Sequence, residues 1–120
     1  MRSLLAFLSF LLVAASARAG EPIDNCATVL GSLSVELRIA RELPPGRRSS
    51  FFCAKRYTPL VGASRERVLR SLGPPDRNGE DGGWSYYFAS RHGAREPGTI
   101  EMVFHFDGAA VDAVDCRRTP

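Results

Sequence analysis

Several features that mark catalytic proteins are missing from this 120-residue sequence. Its three cysteines include no Cys-x-x-Cys pair, which argues against a redox or metal motif of that kind. No serine stands in the G-x-S-x-G frame of a hydrolase nucleophile, and no acidic run has EF-hand spacing. Because no nucleophile and base can be paired, the sequence predicts a non-enzymatic protein without a cofactor or a metal.

Net positive charge is also scarce once the N-terminal segment is set aside. Arg2 and Arg18 lie within the first 19 residues, so 14 of the 16 Lys and Arg residues remain against 13 acidic residues, a net charge of +1. A nucleic-acid-binding domain normally carries a strongly basic patch. We therefore expect no nucleic-acid partner, although Arg47 and Arg48 remain as a candidate local basic patch.

Residues 1–19 have the parts of a secretory signal peptide. A cationic residue precedes an apolar run over residues 4–15, and Ala17 and Ala19 are the small residues that a signal peptidase reads. The run is shorter than a permanent membrane span. Because Cys26 lies seven positions beyond Ala19 rather than directly after it, we expect no lipid anchor. The sequence predicts cleavage after Ala19 and a location outside the cytoplasm.

The remaining chain of about 100 residues is the size of one domain. It keeps three cysteines, and an oxidising compartment favours one disulfide and one free thiol. We favour Cys53–Cys116, because both cysteines lie just outside the helix and the strand that should pack together. Cys26–Cys53 is the alternative that the sequence leaves open.

The signals of a short helix are gathered between residues 60 and 75. A capping hydroxyl and an acidic first turn stabilise a helix start. An apolar stripe at helical spacing follows, and glycine and proline then end the helix. These positions are Ser64, Glu66, Val68, Leu69, Leu72, Gly73 and Pro74.

Residues 24–43 fit two patterns. Leu30, Leu33 and Leu37 recur at helical spacing, but residues 33–39 also alternate between apolar and polar as a half-buried strand does. Length and the content of Ala, Leu, Glu and Arg favour the helix, which the Leu43–Gly46 segment ends. A connector follows over residues 47–59.

The C-terminal part of the chain predicts three strands. Alternation places Trp84, Tyr86 and Phe88 on one face, as core beneath a helix. It places Tyr87 on the other face, with Val103 or His105 opposite. Asp107-Gly108 is a hairpin signal. The strands are Trp84–Phe88, Ile100–Asp107 and Ala110–Val114. The predicted fold is therefore α+β, with two helices packed on a three-stranded antiparallel meander as a two-layer sandwich.

The candidate contact residues lie on the strands and in a loop. Residues 76–83 form a turn-rich loop, and residues 90–98 form a basic loop. His105, near Glu101 and Asp107 on its strand, is interpreted as part of a polar sheet face rather than as a metal ligand. An open sheet face is the best candidate for protein contact. The candidate interaction residues are Tyr87, Arg91, His92, Arg95 and His105.

The stretch from Leu60 to about Asp115 resembles the SmpA/OmlA (BamE-like) domain family. The family pattern is a G-M-[ST]-x-x-x-V-x-x-x-L-G-x-P helix followed by a W-x-Y-x-F strand. This chain has Ala63 in place of the usual Met and lacks the lipid-attachment cysteine of the best-known member. The matching residues are Gly62, Ser64, Val68, Leu72-Gly73-Pro74-Pro75, Trp84-x-Tyr86-x-Phe88, Phe104-x-Phe106 and Val111.

The resemblance implies two helices on a three-stranded sheet, a bacterial periplasmic location and a role in protein contacts. The best-known member is a lipoprotein subunit of the outer-membrane β-barrel assembly machine, and the fold group includes β-lactamase-inhibitor-like proteins. We therefore expect an N-terminal helix and connector over residues 20–59, an SmpA/OmlA-like unit over 60–116 and a tail over 117–120. The expected function is a non-enzymatic accessory module of outer-membrane assembly with a protein partner in the envelope; a secreted proteinaceous enzyme inhibitor is the alternative.

Overall fold

The structure is a computed structural model that describes residues 24–90 and 96–120. The predicted leader, residues 1–19, lies outside the described residues. Within them the chain forms two α-helices and a four-stranded antiparallel sheet, so the fold is α+β. The elements in chain order are α1 (Asn25–Arg41), a 3₁₀ turn (Thr58–Leu60), α2 (Arg65–Leu72), β1 (Arg77–Asn78), β2 (Trp84–Phe88), β3 (Ile100–Asp107) and β4 (Ala110–Arg118).

Most of residues 24–43 form helix α1 rather than a strand. The Asp24 side chain caps its start by accepting a hydrogen bond from the Ala27 backbone N–H at 3.1 Å. Val35 and Ile39, which the strand pattern would bury, are about half exposed. The helical prediction is therefore confirmed, and the buried residues are Leu30, Leu33, Leu37 and Ala40.

The predicted short helix is present as α2. The Ser64 hydroxyl accepts a hydrogen bond from the Arg67 backbone N–H at 3.1 Å at its start. Gly73 follows the last helical residue with φ of 77°, a left-handed conformation that glycine adopts without strain. The Val68 and Leu72 side chains are buried between these ends. Leu69, which was expected in the same apolar stripe, is instead 43% exposed.

The sheet order is β1-β2-β3-β4, and all neighbouring strands are antiparallel. The prediction of three strands was wrong, because β1 forms inside the segment that was expected to be a loop. The Gly79 N–H donates to the Gly83 carbonyl at 2.8 Å, and the Asp81 carboxylate accepts from the Gly83 N–H at 3.0 Å. This tight turn brings Arg77 and Asn78 beside β2.

Strand β4 runs to Arg118, four residues beyond the predicted end at Val114. The additional residues pair with the first part of β3, where Arg117 lies opposite Glu101 and Arg118 lies opposite Ile100. This polar stretch has no strand signal of its own. It is extended because a long neighbouring strand supplies its backbone partners.

One core joins the helices to the sheet. The Tyr86 hydroxyl donates a hydrogen bond to the Gly73 carbonyl at 2.9 Å, and burial raises the pKa of the Tyr86 phenol. Phe88 stacks on Phe51 of the connector with ring centroids 4.1 Å apart. Trp84 is only half-buried and packs at the edge of this core.

A disulfide joins Cys53 of the connector to Cys116 of β4, and Cys26 has a free thiol. This confirms the favoured pairing and rules out Cys26–Cys53. The bond ties the connector to the sheet across 63 positions of sequence. A loop of this length makes the constraint on the unfolded chain large.

Candidate functional site

The face of the sheet opposite the core carries an array of mostly polar side chains, which we call the polar face. Alternation along β3 places Met102 in the core and Glu101 on the other side. Within residues 24–90 and 96–120, the side-chain hydrogen bonds and ion pairs of the polar face join the strands to one another or to the 79–83 turn. The face consists of Ser85, Tyr87, Glu101, Val103, His105, Ala113, Asp115 and Arg117.

Glu101 lies at the centre of the polar face and is only 4% exposed. The Arg117 Nε and Nη2 atoms both donate to its Oε1 atom, at 3.1 and 2.9 Å, and the Tyr87 and Ser85 side chains also hydrogen-bond to the carboxylate. Burial by itself would raise the pKa of Glu101, but these hydrogen bonds outweigh it and hold the pKa below its usual value. The ionised carboxylate therefore links β2, β3 and β4.

His105 lies further along β3 on the same face, beside two carboxylates. Its Nε2 atom is 2.8 Å from an Asp115 oxygen, and its Nδ1 atom is 3.9 Å from an Asp81 oxygen. From the sequence, His105 was expected near Glu101 and Asp107 instead. The cross-strand register, rather than spacing along β3, decides which acid it meets. A histidine that activates a nucleophile has a hydroxyl or a thiol next to one of its ring nitrogens. The neighbours of His105, Asp115 and Asp81, are carboxylates instead.

The polar face is shallow and open rather than enclosed. A depression of about 620 Å³ crosses it between the 79–83 turn and Arg117. Asp81 and Asp115 lie toward its acidic end, around His105, whereas Arg77 and Arg117 border it near Glu101. Such a surface offers separated charges to a partner rather than a closed pocket for a small molecule.

The candidate interaction residues fall into different places. Tyr87 is on the polar face but is only 8% exposed, so it offers a partner little surface. It lies opposite Glu101 and not opposite Val103 or His105. His105 is accessible on this face. Arg91, His92 and Arg95 lie outside the described residues.

From the sequence, Glu101 was recognised only as a neighbour of His105, and the other residues that organise the polar face were missed. The polar positions of β3 alternate with apolar ones and signal a polar face, but they do not show which cross-strand partners meet. That information requires the register between β3 and β4. The residues concerned are Ser85, Glu101, Asp115 and Arg117.

The described ranges contain neither a metal-binding cluster nor a membrane-spanning helix. No group of three or more His, Cys, Asp or Glu residues there is arranged to hold a metal ion. Of the helices in the same ranges, none combines the length and the apolar character that crossing a bilayer requires.

No family model, curated protein or solved structure matches the chain. The resemblance to the SmpA/OmlA domain accordingly rests on the motif residues between Leu60 and Asp115.

Proposed function

We propose that this chain is a non-enzymatic protein-interaction module of the SmpA/OmlA kind, which works in the bacterial periplasm and contacts a protein of the cell envelope. In this proposal the helices form one layer and the sheet forms the second. The observation that carries it is the difference between the two sheet faces. One face packs into the core with α1 and α2, and the other presents ordered charges.

The charges on the polar face are held in place by contacts within the chain. Arg117 is fixed by Glu101, and Asp115 is fixed by His105. The outer side chains of these pairs stay accessible, with Arg117 68% and Asp115 70% exposed. Side chains that are already ordered lose less conformational entropy on binding. Opposite charges at a fixed spacing also favour one partner and one orientation over others.

Two features support a location outside the cytoplasm. Disulfides persist in oxidising compartments, and the Cys53–Cys116 bond joins two segments that are far apart in sequence. Residues 1–19 have the pattern of a cleaved leader. Both features agree with an envelope partner.

Co-purification from crosslinked envelopes tests the proposal. Ala113→Arg adds a large charged side chain at an exposed position of the polar face, beside His105 in the register. Ala27→Arg makes the same change at an exposed position of α1 and serves as the matched control. We expect the wild type and Ala27→Arg to recover the same envelope proteins, including β-barrel assembly subunits, and Ala113→Arg to lose them.

Equal recovery by all three proteins would contradict a contact through the polar face. Recovery of a single secreted hydrolase, with inhibition when the purified chain is titrated into it, would replace the module by the inhibitor alternative.

A further inference from the structure

A second group of arginines, separate from the polar face, converges on Gly98. The Arg118 Nη1 atom donates a hydrogen bond to the Gly98 carbonyl at 3.2 Å. The guanidinium group of Arg48, on the connector, approaches the same residue, with its Nη2 atom 3.7 Å from the position that a Cβ on Gly98 would take. Two guanidinium groups from distant parts of the sequence thus meet at one glycine.

Both arginines line a cleft of about 200 Å³ beside the end of β2 and the start of β3. Arg47 also lines the cleft, and among the lining residues that the structure describes Glu96 supplies the one carboxylate. Three guanidinium groups and one carboxylate give these described lining residues a net charge of +2. Ser49 also lines the cleft.

The charges of this cleft are poorly balanced by the protein itself. The carboxylates that form ion pairs with arginine elsewhere are committed to Arg41, Arg67 and Arg117. Across the described part of the chain, no carboxylate lies within 4.0 Å of a guanidinium nitrogen of Arg48 or Arg118. Like charges held near one another disfavour the arrangement unless an anion compensates them.

We propose that this cleft binds a phosphate-type oxyanion, either free or as the phosphate of a lipid headgroup. Guanidinium groups present rigid forks of N–H donors that match phosphate oxygens in pairs. A phosphate dianion also balances the +2 charge of the lining. The cleft is independent of the protein contact proposed above, because alternation along β4 directs Arg118 to the core side of the sheet and Arg117 to the polar face.

An NMR titration of the purified protein with inorganic phosphate tests the assignment. We expect saturable shifts of the Gly98 and Thr99 amide signals, and no such shifts with sodium chloride at the same ionic strength. The double variant Arg48→Gln with Arg118→Gln should bind phosphate at least about tenfold more weakly, because it loses two charged donors.

The matched control is Arg38→Gln with Arg70→Gln, which removes the same charge from two exposed helix positions. Its phosphate affinity should stay within about twofold of the wild type, because solvent and salt screen distant charges. Shifts that never saturate, or equal affinities of the two double variants, would overturn the proposal. If loss of the Arg118–Gly98 hydrogen bond disturbs the fold of the double variant, the same phosphate titration is made with Arg48→Gln alone, which keeps that hydrogen bond.

Vesicles of phosphatidylglycerol and phosphatidylcholine distinguish the two sources of phosphate. Vesicle binding that the cleft variant loses and the control keeps assigns the ligand to a lipid headgroup. Saturable binding of inorganic phosphate without vesicle binding assigns it to free phosphate or a small phosphate ester. Absence of both kinds of binding overturns the oxyanion site.

Discussion

The replacement Glu101→Gln tests the network that organises the polar face. It keeps the size of the side chain but removes its negative charge. That charged carboxylate accepts hydrogen bonds from two Arg117 nitrogens, at 3.1 and 2.9 Å, and hydrogen-bonds to the buried Tyr87 and Ser85 side chains. A hydrogen bond to a charged group contributes about 1.5–3 kcal/mol. Because Arg117 is 68% exposed, solvent screening reduces its share. We expect a total loss of about 2 kcal/mol, or about 10 °C in Tm for a domain of this size.

The pH dependence of this loss provides a sharper check. The pKa of Glu101 is lowered in the folded protein. The stabilisation is therefore fully present above the unfolded-state pKa of about 4.3 and disappears as pH falls through the folded-state pKa. Urea unfolding of the wild type and Glu101→Gln should show a constant difference above about pH 5 and a shrinking difference below the unfolded-state value.

The control for this experiment is Glu80→Gln, the same replacement at an exposed residue of the 79–83 turn. It should change the free energy of unfolding by no more than about 0.5 kcal/mol. A difference between wild type and Glu101→Gln that is equal at pH 3 and pH 7, or absent at pH 7, would refute the reasoning.

Three further predictions concern stability. Cys53→Ser removes the disulfide and should lower the free energy of unfolding by about 4 kcal/mol. Thiol titration of the unfolded variant should find a second thiol beside that of Cys26. An unchanged thermal midpoint would contradict this prediction. Ser64→Ala removes the N-cap hydrogen bond of α2 and should cost about 1 kcal/mol in urea unfolding, whereas Ser64→Thr keeps the hydroxyl; equal losses would count against the cap. Trp84→Ala should lower the free energy of unfolding by about 2–3 kcal/mol in thermal unfolding, which is at or below the low end for a buried aromatic residue. The loss is small because Trp84 is half-buried beneath the Arg65 guanidinium. Lost partner binding at an unchanged Tm would make Trp84 a contact residue instead.

The parts of the fold that could be predicted from the sequence are those with local signals. Ser64 and Gly73 mark the ends of α2 through their own backbone preferences, and these preferences need no knowledge of the rest of the chain. Strand β2 was predictable because Trp84, Tyr86 and Phe88 alternate with Ser85 and Tyr87.

The parts that escaped prediction depend on contacts between distant segments. Arg77 and Asn78 are a strand only because the following turn folds them against β2. The pairing of Glu101 with Arg117 depends on the register of β3 and β4, which a shift of one residue would abolish. The sequence supplied the polar residues of the candidate site, but their partners required the three-dimensional structure.

Site-specific photo-crosslinking in living cells tests whether the polar face contacts an envelope protein. A photoreactive amino acid placed at position 113 lies on the polar face, and the same amino acid at position 27 lies on α1. We expect that position 113 forms a crosslink to an envelope protein and that position 27 does not. Crosslinks to the same protein from position 27 alone, or no crosslink from position 113, would contradict it.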